Sequence, residues 1–436
     1  MVGDQLTEYE TSANHETATQ RKYSTFVTHL RDLDILEAYS LKPLLDGKTL
    51  AKALSTPPGP WMKDALDVVM AWQLRHPDVK DPTEAIEEVK KHGELTSALA
   101  SHFLKLTIRP LFAKAKPDSV TEQGRKKVTA DLPAKMTAES SDERLTKPWK
   151  NEKESHALAL LHWVVHSLDS QSTERLWPLL VPPILTLVDD WETKHKRHGA
   201  SLLHSLLHNT PPTLLTRTGL GPVFEDALLP CLTYLPPLTP APDSAAILNT
   251  AYPALLTLTA TRFPPSDPTT TTPRLRALDK HLRTALLHSL AHAGQYPLVA
   301  ATLLAHLPPL LDALALDTVK HLQYLLPPLR DALTNAARAR QREVLLAALE
   351  ALRAVLRNAW PRVGEHRVVV LGGLTGAWLD LEGEGMEEVR EGLRGVAEML
   401  VAAVGSEGEG ELRGWCVELV RADGRLGGLF GKVLEG

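Results

Sequence analysis

The chain has 436 residues, of which 43% are hydrophobic and only 5% aromatic, and its 48 lysines and arginines against 53 aspartates and glutamates give a formal net charge of -5. That balance supplies no global attraction to nucleic acid or an anionic membrane, and two distant cysteines, Cys231 and Cys416, support neither a disulfide framework nor a thiolate metal site. Leucine and alanine dominate the apolar fraction while β-branched and aromatic residues are scarce, so an all-α chain is expected.

The first helix is predicted around Thr25 to Ala38. Trp61, Ala65, Val68, Val69 and Trp72 then recur at the spacing of an amphipathic helix, opened by Pro60 and stopped near Pro77. Thr83 is the expected cap of the next helix, with Ile86 and Val89 inward and Gly93 as its stop. Leu95, Leu99, Phe103 and Leu106 continue on another. Residues 1–113 are thus expected to form an N-terminal helical block. From 114 to 147 the run KAKPDSVTEQGRKKVTADLPAKMTAESSDERLTK has too few large apolar residues to offset the entropy of ordering, and reads as a flexible polar linker or loop.

Apolar periodicity returns at Leu158, Leu161, Val164, Val165 and Leu168. Trp177 to Asn209 then reads as two helices joined at Asp189 and Asp190, the first split by Pro182 and Pro183, the second carrying Leu202, Leu203, Leu206 and Leu207 on one face. Proline-bearing helices recur at LLVPPILTL, ALLPCLTYLPPL, LLAHLPPLL and YLLPPLRDAL, alternating with helices that lack proline, and a surface loop is expected at FPPSDPTTTTP. Paired helices of this kind bury their apolar faces only against neighbours, which predicts a HEAT-like solenoid, an α-α superhelix, over residues 148–360. Val344, Leu345, Ala348, Leu349, Leu352, Val355 and Leu356 form its clearest stripe, expected on an inner helix. From 361 to 436 glycine becomes frequent, and LEGEGMEE and GSEGEGEL are expected to separate shorter helical repeats. The most apolar run, Tyr296 to Leu316, is interrupted by His306, Pro308, Pro309 and Asp312, which a membrane span tolerates poorly. The N-terminal MVGDQLTEYE has no basic and apolar regions of a secretory signal. No membrane association is expected, and the chain reads as intracellular.

Few side chains fall into a pattern that carries chemistry. Asp189 and Asp190 could share a metal or a proton, but aspartates at an inter-helix turn ordinarily cap the next helix, with Lys194 or Arg197 as candidate ion partners. His162/His166, His204/His208 and His288/His292 have i,i+4 spacing, yet Trp163, Ser205 and Ser289 stand where a zinc protease needs glutamate. GRLGGLFGKV lacks the first glycine and the final Ser or Thr of a phosphate loop, and no G-x-S-x-G elbow occurs. The basic runs KHKRH, from Lys194 to His198, and RARQR, from Arg338 to Arg342, are expected on solvated helix faces, and without interleaved aromatics they do not make a nucleic-acid surface. No catalytic residue, metal ligand or cofactor site is expected.

The run KPWK from Lys147 to Lys150, the run ALLHWVV ending at Val165, then VPPILTLVDDWETKHKRHGASLL and GLGPVFEDALLPCLTYLP, in this order, resemble the Tti-two family, the Tel-two-interacting protein two subunits. The resemblance covers Lys147 to Pro237 and marks Trp149, Trp163, Pro182, Pro183, Asp189, Asp190, Lys194 (or Lys196), Gly199, Gly219 and Phe224 as motif residues, structural or partner-binding. It implies a non-catalytic scaffold subunit of the TTT cochaperone complex, with Tti-one and Tel-two homologues as partners. It further implies support for the heat-shock-protein-ninety-dependent maturation of phosphatidylinositol-3-kinase-related kinases, in the cytoplasm and nucleus. The residues alone leave another HEAT-repeat adaptor, in transport or trafficking, as the alternative.

Overall fold

The computed structural model describes Thr25, Thr28 and residues 44–54, 61–76, 79, 81–113, 119–127, 147–150, 156–335, 341–381 and 386–435. Among these residues every regular element is helical, and the β pairing is an isolated antiparallel bridge between Val120 and Lys126. The all-α expectation holds. The helix expected at Thr25 to Ala38 lies outside the described residues except for Thr25 and Thr28. The chain divides into two compact units, residues 1–101 and 102–436. The boundary therefore falls near the end of a helix, ahead of the expected 113/114 junction.

The first unit contains α1 (Gly47–Ala53), α2 (Trp61–Arg75) and most of α3 (Thr83–Phe103). Asp46 opens α1 by accepting the Thr49 N–H at 2.7 Å. The α2 stripe is buried as its spacing predicts: Ala65, Val69 and Trp72 join Leu45, Leu50, Ala85 and Val89 in one apolar cluster, with Val68 and Ile86 against it. At α3 two expectations are corrected. Asp81, not Thr83, supplies the capping oxygen, accepting the Thr83 N–H at 3.1 Å. Gly93 does not stop the helix, and it is absent from the described glycines with positive φ, which are Gly124 and Gly219. A mid-helix glycine costs about 1 kcal/mol against alanine, which the surrounding good helix formers outweigh.

In the second unit a π-helical turn, Leu104–Ile108, and α4 (Arg109–Phe112) bury Leu104, Ile108 and Phe112. Of the expected linker, residues 119–127 form a turn tied to the helices: Lys126 N–H donates to Thr218 O at 2.9 Å, and Trp177 Nε1–H donates to Gly124 O at 3.1 Å. Most of the rest of 114–147 lies outside the described residues. There follow α5 (His156–Ser167), α6 (Ser170–Val188), α7 (Thr193–His208), α8 (Pro212–Thr218), α9 (Gly221–Leu228), α10 (Ala241–Arg262), α11 (Thr271–Lys280), a second π-helical stretch (His281–Leu287) and α12 (His288–Ala293). Then come α13 (Pro297–Ala305), α14 (Leu307–Leu314), α15 (Leu322–Thr334), α16 (Arg342–Val363), α17 (Arg367–Asp380), α18 (Glu387–Ala422) and α19 (Gly427–Glu435).

Packing runs between near neighbours. Helix α6 meets α7, α7 meets α10, α10 meets α13, α13 meets α16, α16 meets α18 and α18 meets α19, while α15 meets α17. Helix α16 is the inner helix its stripe predicts: all seven stripe residues are buried, and it touches α13, α14, α15 and α18. Prolines do more than punctuate. Several open helices, such as Pro212 and Pro297, but Pro178, Pro182 and Pro183 lie inside α6, Pro253 inside α10, and Pro327 and Pro328 inside α15. In α6 the missing N–H groups of Pro182 and Pro183 leave the carbonyls of Pro178 and Leu179 without their helical donors, and the Thr186 hydroxyl donates to the Pro182 carbonyl at 2.9 Å. In α16 the helix kinks at Ala359, two residues before Pro361.

The stretch Pro297–Thr334 is long and apolar enough to cross a membrane by length and composition alone, its most apolar 18-residue window having a mean hydropathy of 1.6. Here it is divided into α13, α14, a 3-10 segment and α15, and half of its most apolar window is buried against protein. The C-terminal expectation of short helices is corrected: α18 runs for 36 residues straight through GSEGEGEL. Burial of Val389, Leu393, Val396, Leu400, Leu412 and Cys416 along it outweighs the local cost of its glycines.

If α18 is continuous, alanine at its open glycine positions should strengthen it. A Cβ added at Gly410 or Gly414 meets nothing within 4 Å. Gly410→Ala and Gly414→Ala are each expected to stabilise the chain by about 0.5 to 1 kcal/mol in denaturant unfolding, whereas a glycine-rich turn would leave stability unchanged or lower it.

Candidate functional site

The motif residues converge on the turn between α6 and α7. Helix α6 ends at Val188, where Asp189 is its exposed C-cap and donates its N–H to Leu185 O at 2.9 Å. Asp190 turns inward and is 4% exposed. Its Oδ1 accepts the Glu192 N–H at 3.0 Å, an Asx-type turn rather than the expected cap of α7, whose N-cap position is Glu192.

The partners of Asp190 come from the 3-10 segment Pro148–Lys150 and the residue before it. Lys147 Nζ lies 3.1 Å from Oδ2 and Lys150 Nζ lies 3.0 Å from Oδ1. Lys150 also reaches Glu192 at 2.6 Å and sits over both the Trp149 and Trp191 rings, at 5.5 and 5.2 Å. Burial alone would raise the Asp190 carboxyl, but the Glu192 N–H and the two ammonium groups outweigh it and hold the group below the usual aspartate range. Burial likewise pulls Lys150 down, and its hydrogen bonds to Glu192 and Asp190 more than reverse this. An acid clamped in this way stays ionised and has no proton to exchange near neutrality.

Trp149, 1% exposed, is held by the same segment. It stacks on Phe112 with ring centres 5.2 Å apart and planes 6° apart, and meets His195 edge-on at 4.9 Å. Such contacts add about 0.5 to 1.5 kcal/mol each to the area buried. KHKRH is therefore not simply a solvated face: His195 and Lys196 are buried, and Lys196 Nζ donates to Val188 O at 2.6 Å with its charge 5.0 Å from the Tyr234 ring. Lys194 is exposed, and neither it nor Arg197 is what clamps Asp190. The expected ion partners are thus replaced by Lys147 and Lys150, which local spacing could not reveal. RARQR lies outside the described residues except for Gln341 and Arg342, and Arg342 pairs with Glu388.

The remaining motif residues lie on α6, on α7 and on neighbouring helices. Gly199 lets α7 press on the end of α6: a Cβ there would stand 2.4 Å from Val188 N and 2.7 Å from the Leu187 carbonyl carbon. Pro183 is buried and Pro182 half-buried in α6. Gly219 ends α8 with φ +68°, a conformation that favours glycine, beside Lys126. Phe224 is fully buried on α9 and meets Trp177 edge-on at 6.0 Å. Trp163 is set apart, 38% exposed with its ring against Phe103. Sequence reasoning missed Trp191, 60% exposed at the tip of the turn. Its position directly after the paired aspartates was the available signal.

Of the histidine pairs, His162 and His166 are stacked, and His204 and His208 meet edge-on at 4.5 Å. His162 and His166 rings lie 4.0 Å apart, and His166 and His208 each engage the carbonyl four residues earlier at 2.8 and 2.9 Å. Among the described residues no three His, Cys, Asp or Glu side chains are grouped to hold a metal ion. The Cys231 thiol is buried and pushed up to about 11 by desolvation, which leaves it inert.

A family model described as the Tti2 family matches residues 76–339, more than half of the chain, and takes in the whole of this site. Among curated proteins the similarities are short. Over 68 residues the chain is 52% identical to the nucleotidyltransferase lcsQ of Purpureocillium lilacinum, covering 16% of this chain and 11% of that protein. Over 83 residues it is 32% identical to the tRNA nucleotidyltransferase cca2 of Schizosaccharomyces pombe, covering 19% and 17%. Over 74 residues it is 31% identical to the mitochondrial CCA tRNA nucleotidyltransferase of Candida glabrata, covering 17% and 14%. The chain spans less than a fifth of the length of each of these proteins. No solved structure matches it.

Removing the buried charge while keeping its shape should expose what the clamp contributes. Asp190→Asn is expected to destabilise the chain by about 3 kcal/mol at neutral pH, read by chemical unfolding. Because the folded carboxyl titrates below its unfolded value, this contribution is present above the ordinary aspartate range and is lost as pH falls through the lowered value, so the gap between parent and variant should close in acid. A gap that persists unchanged there would contradict the ionic origin. At Gly199 the clash is with backbone, which cannot move aside: Gly199→Val is expected to cost more than about 2 kcal/mol, and a parental thermal melt would refute the close approach.

Proposed function

The chain belongs to the Tti2 family, and on that premise we propose that it is a non-catalytic scaffold subunit of the TTT cochaperone complex. The observation that carries this reading is the family match over residues 76–339, within which the motif residues from Trp149 to Phe224 mostly pack together as a structural turn rather than as a reaction centre. Its partners would be Tti-one and Tel-two homologues. Acting with them and the heat-shock-protein-ninety system, it would support maturation and stability of phosphatidylinositol-3-kinase-related kinases, including the checkpoint and growth-control members, in the cytoplasm and nucleus.

The helix order supports a HEAT-like stack in the second unit. Successive helices of α6 to α19 touch near neighbours, the arrangement by which repeat proteins extend a core in one direction and offer long surfaces to partners. Trp191, exposed above a rigid charged turn, has the character of an interface anchor, since exposed tryptophans on ordered supports are enriched at binding hot spots. The short resemblances to nucleotidyltransferases cover too little of those proteins to bring their activity here.

Affinity purification of the tagged full chain from its native cells, with mass-spectrometric identification of stable partners, tests the reading. Tti-one and Tel-two homologues are expected in amounts comparable to the bait. A clean monomer would overturn the proposal, and recovery of transport receptors or coat components in their place would replace it with a trafficking adaptor.

A further inference from the structure

We propose that the groove between α11 with its π-helical continuation and the start of α15 binds a linear acidic peptide of a protein partner, carboxylates on Arg276 and Arg283 and an apolar side chain on Tyr324. The groove has a volume of about 500 Å³ and is open to solvent along one side. One wall carries Arg276, Asp279 and Arg283 on successive turns, and the other carries Lys320, His321 and Tyr324.

The charges within it are unequally satisfied. Asp279 lies 3.0 Å from His321 Nε2 and 3.9 Å from Lys320 Nζ, and Lys320 also reaches Asp317 at 3.5 Å. Asp279, the carboxylate in the groove lining, thus already has the Lys320 ammonium of the second wall near it. Arg276 and Arg283 are both exposed, and no ion pair is formed by either among the described residues. The Arg283 guanidinium lies 5.5 Å from the centre of the Tyr324 ring, which is itself 48% exposed. An arginine supported on an aromatic face keeps its N–H edge free for a bidentate carboxylate, and the ring beside it offers apolar surface. Arg276 and Arg283 together form a local exception in a chain of net charge -5.

Shape and chemistry favour a peptide. A space of this size admits a few side chains. A single tyrosine gives no run of stacking platforms for successive nucleic-acid bases. The π-helical stretch His281–Leu287 that carries Arg283 is an uncommon conformation that recurs at functional sites.

The inference rests on the adaptor reading only in supposing a protein partner, and its test uses isolated peptide, so a negative result leaves co-purification with the complex untouched. Fluorescence anisotropy of a labelled peptide of glutamate and leucine, about ten residues long, is measured with the full chain, with Arg276→Glu/Arg283→Glu and with Tyr324→Ala. The expected result is binding that weakens with salt, falls about tenfold or more in the double variant and severalfold in Tyr324→Ala, with thermal melts unchanged. Should the reversal variant melt early, Arg276→Gln/Arg283→Gln takes its place with the same expected loss. The proposal is overturned if the parent does not bind, if folded variants bind as the parent does, or if single-stranded RNA or polyphosphate of equal charge displaces the peptide at far lower concentration.

Discussion

A buried carboxylate that must be neutralised organises the best-defined part of this molecule. Asp190 is almost out of water, and an unpaired charge there would cost several kcal/mol, so both Lys147 and Lys150 have to return to it from some forty residues upstream. Their arrival fixes the 3-10 segment between them. That in turn places Trp149 between Phe112 and His195, joining α4 to α7. Close approach of α7 to the end of α6 completes the turn, and it requires the absence of a side chain at Gly199. A second tie, from Trp177 to the backbone of Gly124 and from Lys126 to Thr218, holds α6 and α8 together on another side.

What could be read in the sequence follows from the range over which each constraint acts. The α5 and α16 stripes are local periodicities, and the structure buries them: Leu161, Val164 and Val165 in the first, all seven residues from Val344 to Leu356 in the second. The need for glycine at position 199 came through family likeness, and its cause, contact with backbone across a helix pair, is geometric. The ion partners of Asp190 were misassigned because spacing suggests only neighbours such as Lys194, whereas the electrostatic demand was met from a distant segment. The KPWK run was visible as a motif without its role being visible.

Helix boundaries failed in one consistent direction. Gly93 and the glycines of GSEGEGEL were expected to end helices, and Pro182 and Pro183 to split one, yet helices continue through all of them, as α15 does through Pro327 and Pro328. A glycine penalty of about 1 kcal/mol per residue is small beside burial of a leucine, worth about 2 kcal/mol, so tertiary packing overrides the local signal. Proline is more disruptive, and a side-chain hydroxyl such as that of Thr186 accompanies the pair inside α6.

These same balances bear on function. In the Asp190 turn the charged groups are consumed in holding helices together, and a group so consumed is poorly suited to proton transfer or metal binding. A scaffold needs the opposite distribution: satisfied polar atoms inside, unsatisfied surface groups outside. Trp191 stands at the tip of the rigid turn, while Arg276 and Arg283 face a groove whose Asp279 already lies near Lys320. Supported, incompletely matched surface groups of this kind suit recognition, which agrees with membership of the Tti2 family.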